Sequence, residues 1–363
     1  MREANEILIS SHSRHVCNFG TKPYPSEQSP LAVTKAFGAQ APPKLIGQLK
    51  SPQLLIRQKA LLAAQELLSS KFSFEQCMAY GITPPLAALL QDPDNLVRER
   101  AAKCMTVIGR KATGVRKILV CGALPTLLDL LHDAELAVRE AAYGCILECC
   151  HHSAFQVAMV ETKSALGRLL TMVQAETPDR AEKGLAILLA CALGGDYADN
   201  GVDQLIIDGE AMPVLKALIK EGKTPAVCEG AVRLLTRLCS TPEARQEAVG
   251  SGLVVALLPC LTQGSLSLST ATVEAFMQIA IAVHGKQAMV LSGQLPLLVE
   301  LLEDAPPHLA SCIVELICNC AELPAAKKEL QAAIPLLQEL ADNSTNLRTQ
   351  QSAVQAVQRL SKS

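Results

Sequence analysis

The 363-residue chain has no tryptophan, four tyrosines and six phenylalanines, so aromatic residues make up only 3% of a sequence that is 49% apolar. Its hydrophobic mass is carried by Leu, Ala, Val and Ile. A β-sandwich core, which draws on aromatic and β-branched strands, is excluded on that ground, and an all-α interior of interdigitated aliphatic side chains is expected. A basic excess is missing too: 33 Lys and Arg stand against 35 Asp and Glu, for a net charge of −2. Nucleic-acid binders use surplus cations to displace counterions and aromatic rings to stack bases, so no nucleic-acid partner is expected. Long apolar runs are also absent. The longest, 185–193 and 253–261, hold nine residues each, under half of the roughly 20 that a membrane-spanning helix needs. Met1 is followed by Arg2, which rules out the N-myristoylation signal. The chain opens with no secretory signal pattern, and its fourteen cysteines fall mostly in Leu/Ala-rich helical stretches. They read as reduced, buried thiols of a cytoplasmic or cytoskeletal protein with no membrane partner.

What is present is a repeat. A Pro is followed by an apolar residue two positions on and by an apolar pair five and six positions on. This phrase occurs at Pro84 with Leu86, Leu89 and Leu90, at Pro125 with Leu127, Leu130 and Leu131, at Pro213 with Leu215, Leu218 and Ile219, and at Pro296 with Leu298, Leu301 and Leu302. Weaker copies start at Pro43, Ser164, Val255 and Pro335, giving intervals of 41, 41, 39, 49, 42, 41 and 39 residues. A second phrase follows about fourteen residues after the anchor: Arg57, Arg98 and Arg139, each with Ala three residues later, and Arg180 and Arg348 in nearly the same place. Polar breakers such as Ser51-Pro52, Asp92-Pro93-Asp94-Asn95 and Asp133-Ala134-Glu135 separate the two phrases. They predict a helix end, a short turn and a new N-cap, so that the unit reads as helix, turn, longer helix.

A period near 41 residues built of helices is the mark of armadillo and HEAT arrays. Gly81, Gly122, Gly252 and Gly293 precede their anchors and suit a sharp bend between one repeat's long helix and the next repeat's first helix. No unit can cover its own apolar face, so neighbours must stack into a continuous core. The expected fold is an all-α, armadillo-type right-handed superhelical solenoid of about eight repeats over residues 31–363, preceded by an extended arm over 1–30. The 49-residue interval contains a turn-rich stretch, 194–201, that reads as an inserted loop.

Chemical motifs are few. Cys149-Cys150-His151-His152 is dense in soft ligands, but four consecutive residues at a helix end diverge rather than converge on a metal. Cys318-Asn319-Cys320 has the same weakness. No phosphate loop, Gly-x-Ser-x-Gly elbow, paired-His motif or dinucleotide fingerprint occurs. The expectation is therefore a non-enzyme with no cofactor, no metal and no small-molecule substrate. Binding falls by default to the inner groove lined by successive long helices. Positions five and nine after the Arg phrase should face it: Leu62, Lys103, Gly144, Leu185, Arg233, Glu274, Glu315 and Ala353, then Glu66, Val107, Glu148, Leu189, Arg237, Gln278, Asn319 and Val357. The polar members Glu66, Lys103, Glu148, Arg233, Arg237, Glu274, Glu315 and Asn319 are the candidate protein-binding residues, though such charges also read as a solvated face. Import receptors of the importin-alpha type bind through Trp and Asn ladders in this groove, and a chain without Trp cannot supply them. Mixed charge suits a defined neighbour in an assembly better than a uniformly charged peptide.

The first repeat carries a narrower likeness. Ala32-Val33-Thr34-Lys35-Ala36-Phe37-Gly38, then Ala41-Pro42-Pro43-Lys44-Leu45, then Arg57-Gln58-Lys59-Ala60-Leu61 resemble the opening of the armadillo-type radial spoke proteins of cilia and flagella, the radial spoke head protein 14 family. The specific part spans about residues 32–66, and Pro42 stands where the family has Leu. The resemblance implies a structural component of the axoneme, with other radial spoke or axonemal proteins as partners near doublet microtubules. It carries over no catalytic or ligand residue. A general cytosolic armadillo adaptor in transport, chaperone or ubiquitin pathways is the alternative.

Overall fold

The computed structural model describes residues 41–193, 201–203, 205, 211–221, 224–262, 265–344 and 346–361. The arm over 1–30, the stretch 32–40 and most of the 194–201 loop lie outside the described residues. Among the described residues the regular structure is entirely helical. Eight long helices recur, Leu54–Ser69, Asn95–Gly109, Leu136–Cys149, Pro178–Leu193, Pro225–Leu238, Leu266–Ile279, Pro307–Cys320 and Leu347–Ser361, each packed on the next. An anchor helix precedes each one, for example Thr83–Leu89, Ala123–Leu130 and Leu295–Glu303. One contiguous apolar core runs from Leu45 to Leu360. The chain is a helical solenoid.

Polar breakers start the long helices as their chemistry requires. The side chains of Asp94, Thr224 and Ser265 accept the backbone N–H of Val97, Val227 and Leu268, and Pro225 and Pro307 occupy the first helical turn, where a missing N–H costs nothing.

The repeat unit has one more helix than its sequence phrases indicate. Between the long helix and the next anchor helix lies a short linking helix, as in Lys71–Ala79, Ala112–Val120, Ser153–Glu161, Pro242–Gly250 and Val283–Leu291. The bend therefore joins this linking helix, and not the long one, to the next anchor helix. Gly81, Gly122, Gly252 and Gly293 turn it with φ of 78°, 69°, 73° and 69°, a left-handed conformation that is easy only for glycine.

The fourth repeat departs from the anchor spacing read from the sequence. There the left-handed residue is Ser164, at φ 56°, so Ser164 corresponds to Gly122 and not to Pro125. Ala165-Leu166-Gly167-Arg168-Leu169-Leu170 then aligns with Ala123-Leu124-Pro125-Thr126-Leu127-Leu128, with the same leucines buried in both. The anchor is Gly167, and the flanking intervals become 42 and 46 residues. Ser164 holds its strained backbone without a side-chain cap bond. Ser164→Gly is therefore expected to stabilise the protein by about 0.5–1 kcal/mol, the left-handed penalty less the extra freedom of glycine in the unfolded chain. Urea unfolding measures it, and a stability at or below that of the parent would contradict the assignment.

The recurring Arg is a rivet between repeats. Arg57 donates through Nε and Nη2 to both carboxylate oxygens of Asp92, at 2.8 and 3.2 Å, while Nη1 donates to the carbonyls of Ser51 and Pro52 in its own turn. Arg98 repeats this with Asp133, at 2.7 and 3.0 Å, and with the carbonyls of Asp92 and Pro93. Arg139 binds the carbonyls of Asp133 and Ala134 and lies 3.5 Å from Glu176, which also takes Arg180 at 2.6 Å. A planar fork suits a carboxylate on one edge and carbonyls on the other, which a lysine could not match.

Candidate protein-binding groove

The long helices present a repeating outward pattern. Lys103 and Arg233 are exposed and Gly144, Glu274 and Glu315 half-buried at the fifth position. At the ninth, Val107, Glu148, Arg237, Gln278 and Asn319 are half-buried, and Glu66 is exposed. The expected register thus matches the exposure pattern in the fifth and sixth repeats, and slips by one residue in the fourth and eighth. Leu185 is buried beside exposed Ala186, and Ala353 is buried beside exposed Val354. The slip in the fourth repeat has a plain cause, since Arg180 falls thirteen residues after Gly167 where Arg139 falls fourteen after Pro125.

Most of the groove charges are already engaged within the chain. Lys103 pairs with Glu99 at 2.6 Å and Arg233 with Glu229 at 2.8 Å, each one helical turn away. Glu148 lies 3.7 Å from Arg110, Glu315 lies 2.6 Å from Arg348, and Arg237 donates to the carbonyl of Ala192 on the preceding long helix at 2.6 Å. Glu66 is likewise engaged. Exposed pairs of this kind are worth at most about 1 kcal/mol, so an arriving partner can exchange them at small cost.

The structure brings some candidates together and leaves others apart. Arg233, Arg237 and Glu274 line one hollow of about 270 Å³ together with Leu189 and Leu193. Glu274 and Glu315 line a second, of about 630 Å³, with His308, Cys312 and Arg348. Glu66, Lys103 and Glu148 belong to the long helices of the first three repeats, away from both.

The thiol clusters are packing elements. Cys149 and Cys150 are buried while His151 is exposed, so the four consecutive residues do not converge. A hydrogen bond with Cys191, and then burial, hold the Cys150 thiol well above its ordinary pKa. Burial alone raises Cys77 to about 11, and as the leading cause it raises Cys104, Cys239 and Cys320 to about 12. Thiols held protonated this strongly are poor nucleophiles. Burial also raises Cys318, beside Asn319 in the other cysteine motif.

The comparisons with known proteins agree with this geometry. Residues 82–112 match the HEAT repeat family, spanning the second anchor helix, its long helix and the start of the linking helix. A curated relative, radial spoke protein 14 of Chlamydomonas reinhardtii, is 32% identical over 364 residues, covering 97% of this chain and 94% of its own length. The chain belongs to the radial spoke protein 14 family. The likeness seen over about residues 32–66 therefore extends through the later repeats, which by their phrases alone read only as generic helical units. In three dimensions this family member is similar to the crystal structure of an engineered protein, with a TM-score of 0.76 at 20% identity, covering 91% of this chain and 83% of the other. At that identity the likeness concerns the fold alone, a helical solenoid. No helix among the described residues of this radial spoke protein 14 family member is long and apolar enough to cross a membrane.

Proposed function

We propose that this protein is a non-catalytic structural scaffold of the radial spokes in the axoneme of cilia and flagella. It holds neighbouring spoke proteins against its solenoid surface and supports the regulation of ciliary motility. The observation that carries the reading is the match to a radial spoke protein along nearly the whole of both chains. Its physical basis is a continuous, stacked array whose groove charges balance one another. A surface of that kind recognises a neighbour by shape and by exchange of weak ion pairs, which suits a fixed place in an assembly. Residues 31–363 form the solenoid in this reading, and the groove residues Glu66, Lys103, Glu148, Arg233, Arg237, Glu274, Glu315 and Asn319 meet the partners.

Isolated axonemes from ciliated cells, washed with increasing salt, test the proposal. The protein is expected to stay with the axoneme and to leave it together with other spoke components. Recovery in the soluble fraction alone, with a dominant soluble partner and equal expression in unciliated cells, would favour a general cytosolic adaptor and end the axonemal reading.

A further inference from the structure

The 630 Å³ hollow between the sixth and seventh long helices holds a set of side chains that the scaffold role does not use. Glu274 comes from Leu266–Ile279, and His308 and Cys312 come from Pro307–Cys320. Their ligand atoms all lie within 4.8 Å of one another. His308 and Cys312 are four residues apart and share one helix face, which is the spacing by which two helical side chains chelate one ion. Zinc bonds of about 2.0–2.3 Å in tetrahedral geometry put ligand atoms about 3.3–3.8 Å apart. The three side chains therefore need roughly an ångström of rotamer adjustment, and all are at least partly open to the hollow.

Charge points the same way. Glu99, Glu148, Glu229 and Glu315 on the long helices each face a Lys or Arg. Glu274 is half-buried and makes no ion pair among the described residues, although Arg233 and Arg237 share its smaller hollow and Arg348 its larger one. A half-buried carboxylate with no ion pair of its own, beside a thiol, is a place that a divalent ion suits, since a carboxylate and a thiolate supply two negative charges.

We propose that Glu274, His308 and Cys312 bind a zinc-class divalent transition-metal ion that clamps the long helices of the sixth and seventh repeats, with its remaining position open to the groove. Thiolate with imidazole selects zinc or cobalt over magnesium and calcium. On binding, the Cys312 S–H proton leaves to solvent, a sulfur–metal bond forms, and the metal keeps its oxidation state. The site goes beyond the scaffold reading and does not depend on it. Sequence spacing hides it, because Glu274 lies 34 residues before His308 and the two meet only when adjacent repeats stack.

The test uses the full chain, stripped with a chelator and titrated with Co²⁺ and then Zn²⁺. One equivalent of Co²⁺ is expected to give a thiolate-to-metal charge-transfer band that Zn²⁺ bleaches, and Zn²⁺ is expected to raise the unfolding temperature. Cys312→Ser should abolish the band. His308→Ala and Glu274→Gln should each weaken binding at least about tenfold, whereas Cys121→Ser, at a half-buried cysteine of another repeat, should change neither. These three ligand positions are not core positions, and far-ultraviolet circular dichroism verifies each fold. Should Cys312→Ser fail to fold, the His308 and Glu274 variants decide. No band in the parent protein, or binding unchanged in His308→Ala and Glu274→Gln, overturns the proposal.

Discussion

Gly114→Ala is expected to destabilise the protein by about 3 kcal/mol, the upper part of the range for overfilling a packed site. Gly114 is the third residue of the linking helix Ala112–Val120, buried where that helix folds back on the long helix before it. A Cβ there would stand 2.0 Å from the carbonyl oxygen of Ile108 and 2.8 Å from its Cγ2. The oxygen belongs to backbone, so a rotamer change offers no escape, and the linking helix must move away from its seat. Gly285 repeats the arrangement against the carbonyl of Ile279, also at 2.0 Å, and Gly285→Ala should behave alike. Gly144 is the control. It lies half-buried inside the long helix Leu136–Cys149, with nothing within 4 Å of its would-be Cβ. Gly144→Ala should stabilise by up to about 1 kcal/mol through helix propensity. Chemical unfolding of the three variants measures the contrast, and a Gly114→Ala protein within about 0.5 kcal/mol of the parent would mean that the linking helix is not held this closely.

This turn also explains what the sequence conceals. The anchor phrases announce the period because Pro and Leu recur at positions where the anchor helix is buried, as at Leu86, Leu127, Leu215 and Leu298. The linking helix has no such constant mark. Its start follows Gly109-Arg110-Lys111 in the second repeat and Cys150-His151-His152 in the third, so no residue type recurs at the junction with the long helix. Among the described residues Thr241-Pro242 and Leu323-Pro324 announce it, where the Thr241 side chain accepts the backbone N–H of Ala244 and proline opens each helix. The slip at Ser164 has a similar origin, since a serine in a left-handed conformation gives no sequence sign of the glycine it replaces. The Arg phrase was legible but its purpose was not. Arg57 and Asp92 are 35 residues apart, as are Arg98 and Asp133, and that shared separation is the signal that joins two motifs otherwise read as a helix start and a turn. The polar candidates Lys103 and Arg233 are exposed and Glu148, Arg237, Glu274, Glu315 and Asn319 half-buried, yet the ion pairs that several of them make depend on neighbours one turn or one repeat away that a position list does not contain.

Arg98→Ala should cost about 3 kcal/mol, because it strands a charge that the fold has taken out of water. The Arg98 and Asp133 side chains are 17% and 8% exposed, and the same substitution also frees the carbonyls of Asp92 and Pro93. Arg98→Lys should recover only part of the loss, since an ammonium cannot bridge both partners. Lys103→Ala, five residues along the same helix and 48% exposed in its side chain, should cost under about 0.5 kcal/mol. Acid offers an independent readout. The hydrogen bond from Arg98 holds the Asp133 carboxyl below its ordinary pKa. A lowered pKa in the folded state contributes stability that is present above the unfolded value of about 3.9 and is lost as pH falls through the folded one. The parent protein should therefore lose stability below about pH 4 more steeply than Asp133→Asn, whose side chain has no proton to gain. Further along the array the position equivalent to Arg98 is Cys228 and then Ser269, whose side chains reach only carbonyls within their own repeat, Leu218 and Ile219 in one case and Cys260 and Leu261 in the other. The rivets thus join the early repeats and not these later ones. In a solenoid whose stability sums neighbour by neighbour, hydrogen exchange should protect the long helices Asn95–Gly109 and Leu136–Cys149 longer than Pro225–Leu238 and Leu266–Ile279. Arg98→Ala should shrink that difference, and equal protection in the two halves, or an acid limb unchanged in Asp133→Asn, would show that the array is held by apolar stacking alone.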